Sequence, residues 1–110
     1  MQSVVHVVSA NESEHQTAFA ITENLLESGE IDDVAVVAQA EGIHAVATDG
    51  EHVDRIRSLL AEGVAFSGCG NTLDARGMAE SDLVEGVEVV SEGAVEVTRL
   101  QDEGYAYLRP

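Results

Sequence analysis

The stretch Gly63-Val-Ala-Phe-Ser-Gly-Cys-Gly-Asn-Thr-Leu-Asp-Ala-Arg-Gly77 carries the reading of this chain. A short apolar run, Val64 to Gly68, predicts a buried strand. Cys69 follows it, and Thr72 to Met78 predicts a short helix. A thiol at a strand-to-helix junction lies near unpaired backbone N–H groups and the positive end of a helix dipole. Both favour the thiolate, the form that reacts. Gly68 and Gly70, on either side, leave room for a ligand or another backbone. The competing reading is an inert cysteine, since free cysteine is among the most buried residue types. Local sequence leaves both open.

Outward from this unit, strands and helices alternate. Gln2 to Val8 is a valine-rich run of the kind that forms a buried parallel strand. Ser13 stands three residues before Gln16, a capping-box spacing, and predicts a helix running to about Ser28, stopped by Gly29. Val34 to Ala38 is a second buried strand. Glu41 to Ala47 is short and irregular or helical. Asp49 is placed to cap a helix over Glu51 to Glu62, with Val53, Ile56, Leu59 and Leu60 facing inward and Gly63 closing it. Beyond Met78, Leu83-Val84 forms at most a turn, and Val87 to Val90 is a fourth strand. Ser91 is placed to cap a helix reaching Asp102. Ala94-Val-Glu-Val-Thr98 has strand propensity, but Glu96/Arg99 and Arg99/Glu103 have helical pair spacing, and parallel strands need a crossover. Tyr105 to Arg109 is the fifth strand. The expected fold is an α/β domain with a mainly parallel sheet, one domain over residues 1–110.

The chain holds 21 acidic residues against five arginines and no lysine, a formal charge of −16, with 45% hydrophobic residues. That hydrophobic content argues against disorder. The acidity fits an interaction surface for a basic partner or the solvated coat of a halophile's protein. The even spread of the acids and the absence of lysine favour the halophile, with a halophilic archaeon as the expected source. No basic patch exists to meet nucleic acid phosphates. No apolar run has the length of a membrane span, and the first residues lack the basic and apolar blocks of a signal peptide. One cysteine allows no internal disulfide and fits a reducing cytoplasm.

In open parallel sheets, ligands bind beyond the carboxyl ends of the strands. Cys69 occupies that edge, and Asn11, Gln39 and Ser91 follow strands one, two and four toward it. His6, His15, His44 and His52 have no metal-ligand spacing, so no metal site is expected. His6 reads as a satisfied core or rim residue. His15 reads as a solvated surface residue, with assistance to proton transfer as the alternative. Arg76, two helical turns past Cys69, either holds an anion near the thiol or pairs with Asp74 or Glu80. Neither a dinucleotide fingerprint, nor a P-loop, nor a nucleophile elbow is present.

Cys69-Gly70-Asn71-Thr72-Leu73, Ala75-Arg76-Gly77, Asp82-Leu83, Gly86-Val87-Glu88-Val89-Val90, Gln101, Glu103-Gly104-Tyr105-Ala106-Tyr107 and Arg109-Pro110 together resemble the DsrE/DsrF-like sulfur relay family, in its small single-domain branch. The resemblance implies a three-layer α/β/α sandwich on a five-stranded sheet of order 4-3-2-1-5. It implies homo-oligomers, trimers or hexamers, and sulfur donor and acceptor proteins as partners. It implies a cysteine after strand three that carries sulfane sulfur as a persulfide, which falls on Cys69. Gly68, Gly70, Asn71, Thr72 and Arg76 are then the candidate ligand-binding residues, and no cofactor is required. The branch's histidine at the end of strand one has no counterpart in Val8-Ser9-Ala10, so none is carried over. The alternative is a non-catalytic oligomeric module that binds a small anion at the same edge.

Overall fold

The computed structural model describes residues 1–110. Five strands, β1 (Gln2–Val7), β2 (Asp33–Ala38), β3 (Ala65–Cys69), β4 (Glu88–Val90) and β5 (Tyr105–Leu108), form one sheet. All pairings are parallel, and the order is β4-β3-β2-β1-β5, as the family resemblance implies. The helices are α1 (Glu12–Glu27), α2 (Val53–Ala61), α3 (Gly70–Arg76) and α4 (Gly93–Asp102), with short 3₁₀ segments at Ala40–Val46 and Glu80–Asp82. The segment Ala94 to Thr98 is helical despite its strand propensity, because β4 and β5 lie at opposite edges and a crossover must span the sheet.

The two sheet faces are unequally covered. One packs Val5, Val7, Val34, Val36 and Phe66 against Ala18 and Phe19 of α1, Ile56 and Leu59 of α2, and the first 3₁₀ segment. The other face is smaller: Val4, Ala35 and Val37 meet Val97 and Leu100 of α4, with Tyr105 alongside. Strand alternation places His6, Gln39 and Cys69 on this second face, at its carboxyl end.

Three caps differ from the sequence reading. Asn11, not Ser13, caps α1, its Oδ1 accepting from the N–H groups of Ser13 and Glu14. α2 starts at Val53 with His52 at its N-cap, rather than at Glu51 behind Asp49. Glu92, not Ser91, caps α4 by accepting from the N–H of Ala94 at 3.1 Å. α3 begins at Gly70, two residues before expectation, and ends at Gly77, whose φ of 64° is the left-handed C-cap that glycine adopts without strain.

Candidate functional site: Cys69 beneath the Glu92 carboxylate

Cys69 is the last residue of β3 and the N-cap residue of α3. It is 1% exposed. Its thiol donates to Glu92 Oε1 at 3.8 Å. The other oxygen of the same carboxylate, Oε2, accepts from the side-chain amide of Asn71. Glu92 thus gathers three donors: the Ala94 N–H, the Asn71 amide and the Cys69 thiol. The first two, in that order, hold its carboxyl below the usual carboxylate range, against some opposition from burial, and the thiol adds to them. The carboxylate is half-exposed, on the solvent side of a sulfur that is not.

The glycines beside the thiol are packed by the chain itself. A Cβ on Gly68 would lie 2.8 Å from Leu83 Cδ1, and one on Gly70 would lie 2.9 Å from the carbonyl oxygen of Val90. Gly70 therefore lets α3 start directly against the end of β4. The Asn71 N–H, expected among the anion donors, bonds instead to the Ser91 carbonyl at 3.3 Å. Its side-chain amide, not its backbone, faces the thiol's neighbour Glu92.

The other candidates point elsewhere. Thr72 Oγ1 accepts from the Ala40 N–H at 2.9 Å, tying α3 to the first 3₁₀ segment. Ala40 is the one non-glycine residue with positive φ, 52°, and this bond supports it. Arg76 pairs with Glu41 at 2.9 Å and approaches His44 Nε2 at 3.5 Å, so neither Asp74 nor Glu80 is its partner. It clamps the same 3₁₀ segment.

A second polar line reaches the site from β1. His6 Nε2 and Gln39 Oε1 lie 2.6 Å apart, which makes Nε2 the protonated nitrogen and leaves Nδ1 to accept from the Tyr107 hydroxyl at 2.6 Å. Burial, the largest influence, lowers the His6 pKa, with the Arg109 charge in the same direction and the Gln39 bond opposing. Burial therefore favours the neutral imidazole. Gln39 in turn packs under Gly93, where a Cβ would lie 2.9 Å from Gln39 Oε1. Tyr107, His6 and Gln39 thus brace the start of α4, and so the backbone that carries Glu92.

His15 is buried at 3% exposure, not solvated, because the loop after β1 folds over it and Ser9 presents its carbonyl to Nε2 at 2.6 Å. Its Nδ1 lies 3.6 Å from Glu12, which also meets His52. This cluster lies on the α1 and α2 side, with the His52 ring packed at a tilt against Phe19, centroids 4.8 Å apart. Sequence reading missed Glu92 as a site residue. The available signal was its place just past β4, on the edge that holds Cys69.

A parallel sheet of this order, with one cysteine closing its third strand, defines a class of small α/β sandwich. The sequence profile of the DsrE/DsrF-like family matches residues 2–110, and the chain belongs to that family. The solved structure of MTH1491, a protein of unknown function from Methanobacterium thermoautotrophicum, is 38% identical, with a TM-score of 0.95 over 99% of this chain and 98% of that one. The ychN protein from E. coli shares the fold at 19% identity and a TM-score of 0.81, each chain fully covered. BT1422 from Bacteroides thetaiotaomicron, also of unknown function, shares it at 15% identity and a TM-score of 0.82, over 99% and 94% of the two chains. No curated protein matches the sequence. No helix is long and apolar enough to cross a membrane.

Proposed function

We propose that this protein is a sulfur carrier that takes up sulfane sulfur as a persulfide on Cys69 and passes it to an acceptor thiol. One observation carries the reading: in a chain of this family, the single cysteine ends β3 at the ligand edge of the sheet, beside an amide and a helix N-terminus that already hold an anionic group. Exchange at sulfur needs only the thiol and its donor, without a metal or organic cofactor. The low exposure of Cys69 means that sulfur enters only when the cover over it moves. The test is mass spectrometry after incubation with polysulfide. Wild type gains one sulfur, and Cys69→Ser gains none.

The burial of Cys69 favours a second reading, a non-catalytic module that binds a small anion at this edge with the thiol as filler. On that reading polysulfide leaves no adduct.

The setting of the carrier belongs to the same proposal. The chain works as a trimer or hexamer with donor and acceptor proteins as partners, in the cytoplasm. The lightly covered α4 face, where Val95 and Tyr107 are exposed, supports an assembly. The acidic coat, of which −16 is the formal sum, is an adaptation to high salt.

A further inference from the structure

We propose that Glu92 is the gate of the Cys69 site: its carboxylate occupies the place of the incoming sulfur anion and must give up that place for sulfur to be loaded. This rests on the carrier reading above and adds to it the residue that controls access.

The two oxygens of the Glu92 carboxylate take the Asn71 amide, the Ala94 N–H and the Cys69 thiol. A persulfide anion formed on Sγ needs the same kind of donors. The backbone N–H of Asn71 is committed to Ser91. The site therefore already binds an anion, supplied by the chain itself. Two anions cannot share it, because like charges at contact distance repel strongly where water is scarce. Glu92 is half-exposed and borders solvent, into which its side chain has room to turn, while Cys69 is buried.

The transfer balances without an outside oxidant. Cys69 Sγ attacks the outer sulfur of a donor persulfide, R–S–S⁻. The bond from Sγ to that sulfur forms, and the bond from R–S to it breaks. The donor leaves as a thiolate and takes up, through solvent, the proton that the Cys69 thiol gave up. The products are the Cys69 persulfide anion and R–SH. The transferred sulfur keeps its oxidation state.

The test compares alkylation of Cys69 by iodoacetamide, which is neutral, and iodoacetate, which is anionic, in the folded protein. Glu92→Gln keeps a side-chain acceptor for Ala94 and removes the charge. Its iodoacetate-to-iodoacetamide rate ratio should rise on the order of tenfold over wild type. Glu88→Gln removes the same charge from the same sheet face without touching the sulfur, and its ratio should stay near wild type. Glu92→Asp, a good helix cap that keeps the charge, should also stay near wild type and guards against an effect of lost folding. Equal ratios in Glu92→Gln and Glu88→Gln would overturn the gate, as would Glu92→Asp behaving like Glu92→Gln. Polysulfide separates the two proposals. Faster sulfur loading of Glu92→Gln than of wild type supports the gate, and equal loading rates overturn it while leaving the carrier intact. A raised iodoacetate ratio with no sulfur adduct on either protein supports the gate and rejects the carrier.

Discussion

Replacing Phe66 with alanine asks how Cys69 is reached. Phe66 is 2% exposed on β3, three residues before the thiol, and its ring faces the larger core with its centroid 6.2 Å from that of Phe19. β3 is paired on both sides, by β2 and β4, so the surroundings have little freedom to collapse into the space the ring leaves. Truncation of a buried phenylalanine under such conditions costs about 3–5 kcal/mol. If Cys69 reacts only when the whole domain unfolds, labelling follows the unfolded population, and each 1.4 kcal/mol is about tenfold. Phe66→Ala would then react roughly a hundred to a few thousand times faster than wild type. Local access through Glu92 has a different consequence. Access depends on the local movement of Glu92, which lies on the other face of the sheet from Phe66, so the labelling rate should change less than about tenfold while stability falls in full. The assay pairs denaturant melts of both proteins with iodoacetamide labelling followed by intact mass. A labelling rate that rises in step with the lost stability would refute local access.

Gly42→Ala should be among the most damaging single changes, costing more than the ~1–3 kcal/mol usual for overpacking, because the new Cβ would lie 2.1 Å from the Val7 carbonyl oxygen, which is backbone. A variant melting within a few degrees of wild type would count against this close approach. His6 should make stability depend on pH near neutrality. Its folded pKa is lowered from 6.5, chiefly by burial, so the unfolded chain binds the proton more readily. The contribution is present in full above about pH 6.5 and is lost as the pH falls below it. Melting temperatures from pH 7.5 to 5.5 should fall more for wild type than for His6→Gln, and parallel curves would reject the assignment. Raising salt from low to molar concentration should raise the melting temperature, because screening relieves repulsion among the 21 acidic residues. A flat or falling curve would reject the halophilic reading of the coat.

The strands were legible because β1, β2 and β4 are short valine-rich runs and β3 and β5 are short apolar runs between turn residues, and β1, β2 and β3 lie within two residues of where the pattern puts them. Their order came from the family resemblance, since nothing local to a strand states its neighbour. The caps were less legible. Asn11 and Ser13 both suit an N-cap, as do Asp49 and Ser91, and the choice among them rests on where the chain leaves the preceding strand. Glu92 was missed because glutamate is outside the usual capping set. Its contact with Cys69 spans 23 residues and exists only because β3 and β4 end side by side. Arg76 was misassigned for a related reason: its partner Glu41 lies 35 residues away, closer in space than the neighbouring acids of its own segment. The buried state of His15 depends on the loop after β1, whose path no periodicity encodes.

The most direct test of the central claim is the mass of the folded protein after exposure to polysulfide in molar salt. The account predicts a gain of one sulfur on wild type, removable by a small thiol reductant, and no gain on Cys69→Ser. An unchanged wild-type mass, under conditions in which iodoacetamide still modifies Cys69, would contradict it.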